Sequence, residues 1–274
     1  MGPPGRPPAK REFIMKKLVY TLALALGLLT QMALIPGPAL ADEAASADKP
    51  PQWKVDASAA FVSKYIWRGI MQINDPALQP SMNINKGGFT FNVWGSYDLT
   101  DKNNHKNKFT EIDLTAEYAF SFGDFSLPVG VINYQFPNTT FKSTTELYAG
   151  VTYNWLITPT LKVYQDVEQA HGQYVNLSLA YAYDLPGVVK DVTWQLAASL
   201  AGGWSSKDDN KYYWGVDSDA FSDSQLTIGL PIKIKDTVTI TPSFNQVWLL
   251  DSKIKDAAGY DSKNYYGLTL SVSF

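Results

Sequence analysis

The stretch "EIDLTAEYAFSF", Glu111 to Phe122, alternates without a break. Ile112, Leu114, Ala116, Tyr118, Phe120 and Phe122 fall on one side, and Glu111, Asp113, Thr115, Glu117 and Ser121 on the other. A period of two sends successive side chains to opposite faces of a strand, one apolar and one polar. "TELYAGVTYNW" repeats the pattern, with Leu147, Ala149, Val151, Tyr153 and Trp155 against Glu146, Tyr148, Gly150, Thr152 and Asn154. So does "YVNLSLAYAYDL", with Val175, Leu177, Leu179, Tyr181 and Tyr183 against Asn176, Ser178 and Asp184. Twelve such segments lie near 53–63, 77–86, 89–99, 109–122, 125–135, 144–155, 160–168, 173–184, 192–203, 224–234, 237–248 and 264–274. The second is the weakest, because Pro80 interrupts it.

Two architectures suit many alternating strands: a soluble sandwich or barrel with its apolar face inside, and a transmembrane barrel with that face toward lipid. Three features favour the membrane. The segments are about ten residues, enough to cross a bilayer when tilted. Aromatic residues (Trp53, Trp155, Tyr183, Trp248 and Phe274) stand at the ends of apolar faces, as girdle residues do. The connections alternate in length. Short joins fall at Gly87-Gly88, Gly123-Asp124, Ile157 to Pro159, Leu185 to Asp191 and Lys235-Asp236, and longer ones at 64–76, 100–108, 136–143, 204–223 and 249–263. Short periplasmic turns and longer outer loops are the habit of bacterial barrels. The outer join Gln169 to Gly172 is short as well. The expected fold is all-β: a transmembrane antiparallel up-and-down β-barrel of 12 strands over residues 53–274. The final segment, "NYYGLTLSVSF", alternates to Phe274 and resembles the C-terminal signature that barrel-insertion machinery reads in outer-membrane proteins.

Upstream, Met15 opens "MKKLVYTLALALGLLTQMALIPGPALA", a basic start, an apolar run and the small-x-small site Ala39-Leu40-Ala41. Residues 15–41 therefore read as a signal peptide cleaved before Asp42, with an uncleaved membrane anchor as the alternative. Residues 1–14 are Pro-rich and basic, an unstructured extension upstream of the export signal, and 42–52 form a short periplasmic N-terminal segment. Residues 1–41 hold five of the 23 basic and one of the 26 acidic side chains, leaving 18 against 25 in the exported chain. That acidic balance disfavours nucleic-acid binding. There is no cysteine, hence no disulfide and no thiolate metal site.

Parity also assigns the inner wall. Asp98, Glu111, Asp113, Glu117, Glu146, Asp166 and Glu168 fall on the polar face, with Lys54 and Lys162 as opposing charges. Strand direction puts Asp98, Glu111, Asp113, Glu146, Asp166 and Glu168 toward the outer mouth, an acidic arc on one wall, and Glu117 and Lys162 lower. The first outer loop, "SKYIWRGIMQIND" (Ser63 to Asp75), carries Tyr65, Ile66, Trp67, Ile70 and Met71, too apolar for a loop held in water. It also carries Arg68, the only arginine after Arg11. The loop is expected to fold into the mouth, with Gly69 turning the backbone and Arg68 pairing bidentately with a carboxylate of the arc. Arg68 is then a latch, a pore-facing residue beside Trp67, or both.

Tyr65 to Gly69, with "FVS" before it and "LQPS" and "FNVWGSYDL" after it, resembles the TorF-like porins of bacterial outer membranes. The resemblance is best over 57–99 and looser through "TTELYAG" and "GQYVNLSL". It implies an outer-membrane barrel and carries no substrate with it.

Signs of catalysis are weak. His105 lies in the hydrophilic "DKNNHKNK" and His171 in the turn "EQAHGQ", neither on a strand beside a serine. Alternating acids such as Glu111, Asp113 and Glu117 are ordinary in a wet lumen. The Asp-rich Lys207 to Ser224 lacks the spacing and central glycine of an EF-hand. The sequence reads as a non-enzymatic channel for passive diffusion of small hydrophilic solutes, mildly cation-favouring, with no cofactor and no metal. Its expected partners are outer-membrane lipid and lipopolysaccharide, the insertion machinery and the solutes themselves. A plugged, non-conducting barrel with a structural or surface-binding role is the alternative, and a barrel enzyme is third.

Overall fold

The computed structural model describes residues 51–187 and 189–274. The upstream extension, the signal peptide and residues 42–50 lie outside the described residues. Fifteen strands follow in chain order: β1 (Lys54–Val62), β2 (Tyr65–Trp67), β3 (Ile70–Ile73), β4 (Ala77–Lys86), β5 (Phe89–Asp98), β6 (Lys108–Phe122), β7 (Phe125–Gln135), β8 (Thr144–Tyr153), β9 (Thr158–Asp166), β10 (Gln173–Leu185), β11 (Val192–Ser205), β12 (Ala220–Gly229), β13 (Ile232–Ile234), β14 (Val238–Leu249) and β15 (Ser262–Ser273). Among the described residues two helices, α1 (Lys207–Trp214) and α2 (Ser252–Ala258), sit in connections.

Every wall strand pairs antiparallel with its neighbours, and β1 pairs with β15, so the sheet closes on itself. β12 and β13 are two pieces of one wall strand, each pairing with β11 and β14. The wall is therefore a closed barrel of 12 strands, as expected. Strand register shows the tilt that closure requires. Lys54, at the start of β1, aligns with Asn85, Thr90, Glu117, Gly130, Tyr148, Tyr164, Tyr174 and finally Ser205, at the end of β11. One hydrogen-bonded row thus climbs from the turn end of the barrel to its loop end.

The faces are inverted relative to a soluble core. Leu147, Leu177, Leu200 and Leu268 stay exposed on the outside, whereas Asn92, Ser96 and Thr115 are 0% exposed inside. Trp53, Phe122, Phe125 and Trp155 stand exposed at the turn end, an aromatic girdle. Pro80 does not break its segment: β4 pairs with β1 throughout, and pairing with β5 lapses only between Leu78 and Ser81. Three long connections hold more structure than alternation foretells. β2 and β3 form a hairpin inside the first, α1 occupies the connection after β11, and α2 occupies the one after β14. α1 starts at Ser206, whose hydroxyl accepts from the Asp209 N–H, and ends at Gly215 in the left-handed region. α2 is capped in the same way by Asp251 and Gly259.

Candidate functional site

The site grows from the turn of the β2–β3 hairpin. Trp67 pairs with Ile70, leaving a two-residue turn of Arg68 (φ 45°) and Gly69 (φ 80°). Positive φ at both central residues fits the twist of a tight hairpin. Glycine is favoured at 69 because φ 80° strains any L side chain, and a Cβ there would also lie 2.6 Å from Leu249 Cδ2. An arginine at positive φ is uncommon and is held by its side-chain partners.

Those partners are strong. Arg68 Nη1 and Nη2 each donate to one carboxylate oxygen of Glu146 at 2.7 Å, a fork-to-fork pair. Tyr134 Oη donates to Glu146 Oε2 at 2.9 Å. The guanidinium carbon lies 4.5, 4.7 and 4.2 Å from the ring centroids of Trp67, Tyr164 and Tyr174. Arg68 is 6% and Glu146 1% exposed, so this ion pair is desolvated. Tyr174 Oη continues to Asp223 Oδ1 at 3.2 Å.

Two glycines on the wall make room for the rings. A Cβ on Gly130 would lie 2.6 Å from Tyr148, whose ring crosses that strand so that Oη donates to Glu117 at 2.8 Å. A Cβ on Gly203 would lie 2.3 Å from Tyr174 Oη, which crosses toward Asp223 in the same manner. Lys162 Nζ approaches Glu117 at 3.4 Å and stands over the Tyr148 ring.

From the loop end, other segments close over the hairpin. Trp67 packs edge-on against Tyr134 and against Tyr213 of α1, at 5.8 and 5.2 Å between centroids. Tyr260, after α2, donates to Gly69 O at 2.6 Å and accepts from Met71 N at 3.1 Å. Asp209 of α1 is buried beside this cluster. Burial raises its carboxyl to about 6, against the opposing pull of the Arg68 charge.

The structure thus brings Trp67, Arg68 and Glu146 together, and Glu117 with Lys162. Glu111 and Asp113 are buried on the same wall, facing the Tyr65 hydroxyl. Asp98 takes a hydrogen bond from Thr110 at 3.0 Å and is not joined to Arg68. Asp166 accepts from Thr144 and from the backbone N–H groups of Glu168, Gln169, Ala170 and His171, so it organises the β9–β10 turn. Glu168 is exposed in that turn, away from the cluster. His105 and His171 both lie in loop-end connections. Among the described residues no group of three or more His, Cys, Asp or Glu is arranged to hold a metal ion. In the Asp-rich segment, Asp217 faces Lys207 and Lys211, and Asp219 accepts from Lys207 N. Sequence reasoning missed Tyr134, Tyr164, Tyr174, Asp223 and Tyr260. For Tyr134, Tyr164 and Tyr174 the available signal was a large aromatic on the polar face of a strand; Asp223 and Tyr260 left none.

A profile of a bacterial protein family of unknown function, Gcw_chp, matches residues 44–232. The chain belongs to that family. No curated protein sequence matches it. Among solved structures, LpxR from Salmonella typhimurium is similar at 8% identity and a TM-score of 0.50, covering 80% of this chain and 99% of that one. The KdgM porin in complex with disordered oligogalacturonate is similar at 11% identity and 0.48, covering 81% and 99%. The NanC porin is similar at 12% and 0.45, covering 80% and 98%. At 8% identity the likeness to LpxR speaks for the fold alone, a closed antiparallel barrel.

Proposed function

We propose that this protein is an outer-membrane channel for small hydrophilic solutes whose passage is shut at its loop end by the β2–β3 hairpin. One observation carries the reading: the inward wall behind the hairpin is polar and incompletely satisfied. Gln79 Nε2, Ser96 Oγ, Asp98 Oδ2, Asp113 Oδ1 and Thr115 Oγ1 are buried with no hydrogen-bond partner among the described residues. A permanently filled interior gains more from apolar packing than from unpaired carboxylates. A lumen that admits water and solutes when the hairpin moves needs such groups. The resemblance to TorF-like porins supports the same reading. Once the hairpin has withdrawn Arg68, the excess of Glu111, Asp113, Glu117, Glu146 and Asp166 over Lys54 and Lys162 on the wall favours cations. The expected signal peptide and the C-terminal signature ending in Phe274 support a seat in the outer membrane, among phospholipid and lipopolysaccharide, with the loop end outside. With both histidines in connections, the protein is read as a channel and not an enzyme.

A permanently plugged barrel is favoured by a different observation. Tyr65, Trp67 and Ile73 of the hairpin pack in one cluster with Val62, Trp94, Ile132, Tyr134 and Tyr148. Planar-bilayer recording separates the two. Wild-type protein is expected to be mostly closed, and replacing residues 64–74 with a Gly-Ser linker should give stepwise, cation-preferring conductance. A wild type that never opens, while the barrel without the hairpin conducts, would establish the plugged reading.

A further inference from the structure

The surroundings of Arg68 are those of a ligand as much as of a latch. Its planar group lies against Tyr164 and Tyr174 while two parallel N–H bonds meet the two oxygens of Glu146. Tyr134 fixes that carboxylate from the side, and Asp209 and Asp223 lie close enough for their charges to act on Arg68. Apart from Trp67, every one of these groups belongs to the wall or to α1, so the receptor stays behind if the hairpin leaves. A buried carboxylate without its cation is costly. The flat ring-lined slot and the paired acceptor select a planar fork over a spherical ammonium.

We infer that this cage is a binding site for solutes bearing a guanidinium group, and that Arg68 is its built-in occupant. A solute of that class competes with a tethered copy of its own head group. The tether gives Arg68 an effective concentration of roughly millimolar or more, so the free solute acts in that range. Positive φ at Arg68 offsets part of the tether's advantage. Solute binding and hairpin release are then two sides of one exchange. The inference names the solute class for the channel proposed above, and its transport meaning rests on that reading, whereas binding does not.

The test uses detergent-solubilised full-length barrel and methylguanidinium chloride, with methylammonium chloride as the charge control. Arg68→Gly removes the occupant and suits the backbone. Methylguanidinium should raise the urea midpoint of R68G saturably, at concentrations about tenfold or more below those at which methylammonium acts. The gain should vanish in the R68G/E146Q double variant. In wild-type protein, which needs no mutation to fold, methylguanidinium should lower hydrogen-exchange protection of residues 66–71 and methylammonium should not. Equal effects of the two salts, or a gain that survives E146Q, would overturn the inference. So would wild-type exchange that is indifferent to both salts. Binding by a barrel that stays silent after hairpin replacement would sink the channel and leave the cage. A conducting barrel without selective binding would do the reverse.

Discussion

Toward the loop end the inside of the wall carries Glu111, Asp113, Tyr134, Glu146, Tyr174 and Asp223. Toward the turn end it carries Ser58, Thr160, Ser178, Ser243 and Ser271. The first set is buried, while the second is partly exposed, although Asn85, Ser126, Thr152, Thr158 and Thr241 at the same end are buried. The wall is the same twelve strands throughout, so the contrast comes from side chains alone. Large rings and carboxylates interlock with the hairpin, whereas small polar side chains line the other end. On the proposed reading, closure and much of the stability belong to one end, and the other end is the vestibule.

The largest effect should come from splitting the central ion pair. Arg68→Ala or Glu146→Ala, each leaving a buried charge alone, should cost about 3–5 kcal/mol in urea unfolding. Replacing both together by Met and Leu should cost much less than the sum. If the single variants are near neutral, the loop end is not where stability resides. Next, Gly203→Ala should cost about 1–3 kcal/mol, since the added methyl meets Tyr174 Oη at 2.3 Å. An unchanged Tyr174–Asp223 contact and unchanged stability would show that the ring has room to spare.

A smaller effect concerns pH. Docked α1 buries Asp209 among Ser205, Arg68, Glu146 and Asp166, and its carboxyl is raised to about 6. Undocked, the same group loses its proton near pH 4. Between those values the docked form binds more protons, so docking weakens as pH rises from about 4 to about 6. Amide exchange in residues 207–214 should report that slope, and Asp209→Asn should flatten it. The smallest effect belongs to the turn end: Ser178→Ala and Ser271→Ala should stay within about 0.5 kcal/mol of wild type. A larger loss there would mean that the two halves are not as different as their side chains suggest.

The wall was legible because alternation is a local property. Glu111 to Phe122 declares both faces of β6 without reference to any other strand, and length and turn residues then give the count. The inward course of Ser63 to Asp75 was legible too, from apolar residues in a loop and one arginine facing an acidic wall. The choice of Glu146 among the seven acids was not, because it depends on how far the tilted register lifts β8 relative to β1. Tyr148 over Gly130 and Tyr174 over Gly203 were hidden for the same reason: each pair joins neighbouring strands whose alignment no local pattern states. The two helices left weaker traces, Ser206 with Asp209 and Gly215, and Asp251 with Gly259, which the Asp-rich composition masked.

The seam of the barrel joins Val62 to Gly267 and Val55 to Phe274, partners about 200 residues apart, so its formation is among the slowest steps open to the chain. β1, one side of that seam, runs directly into the hairpin. The strand that waits longest for its neighbour is thus the one that carries the hairpin. During assembly the hairpin can settle against β8 and β9 while the wall is still an open sheet, and the last strand then shuts the cylinder around an interior already in place.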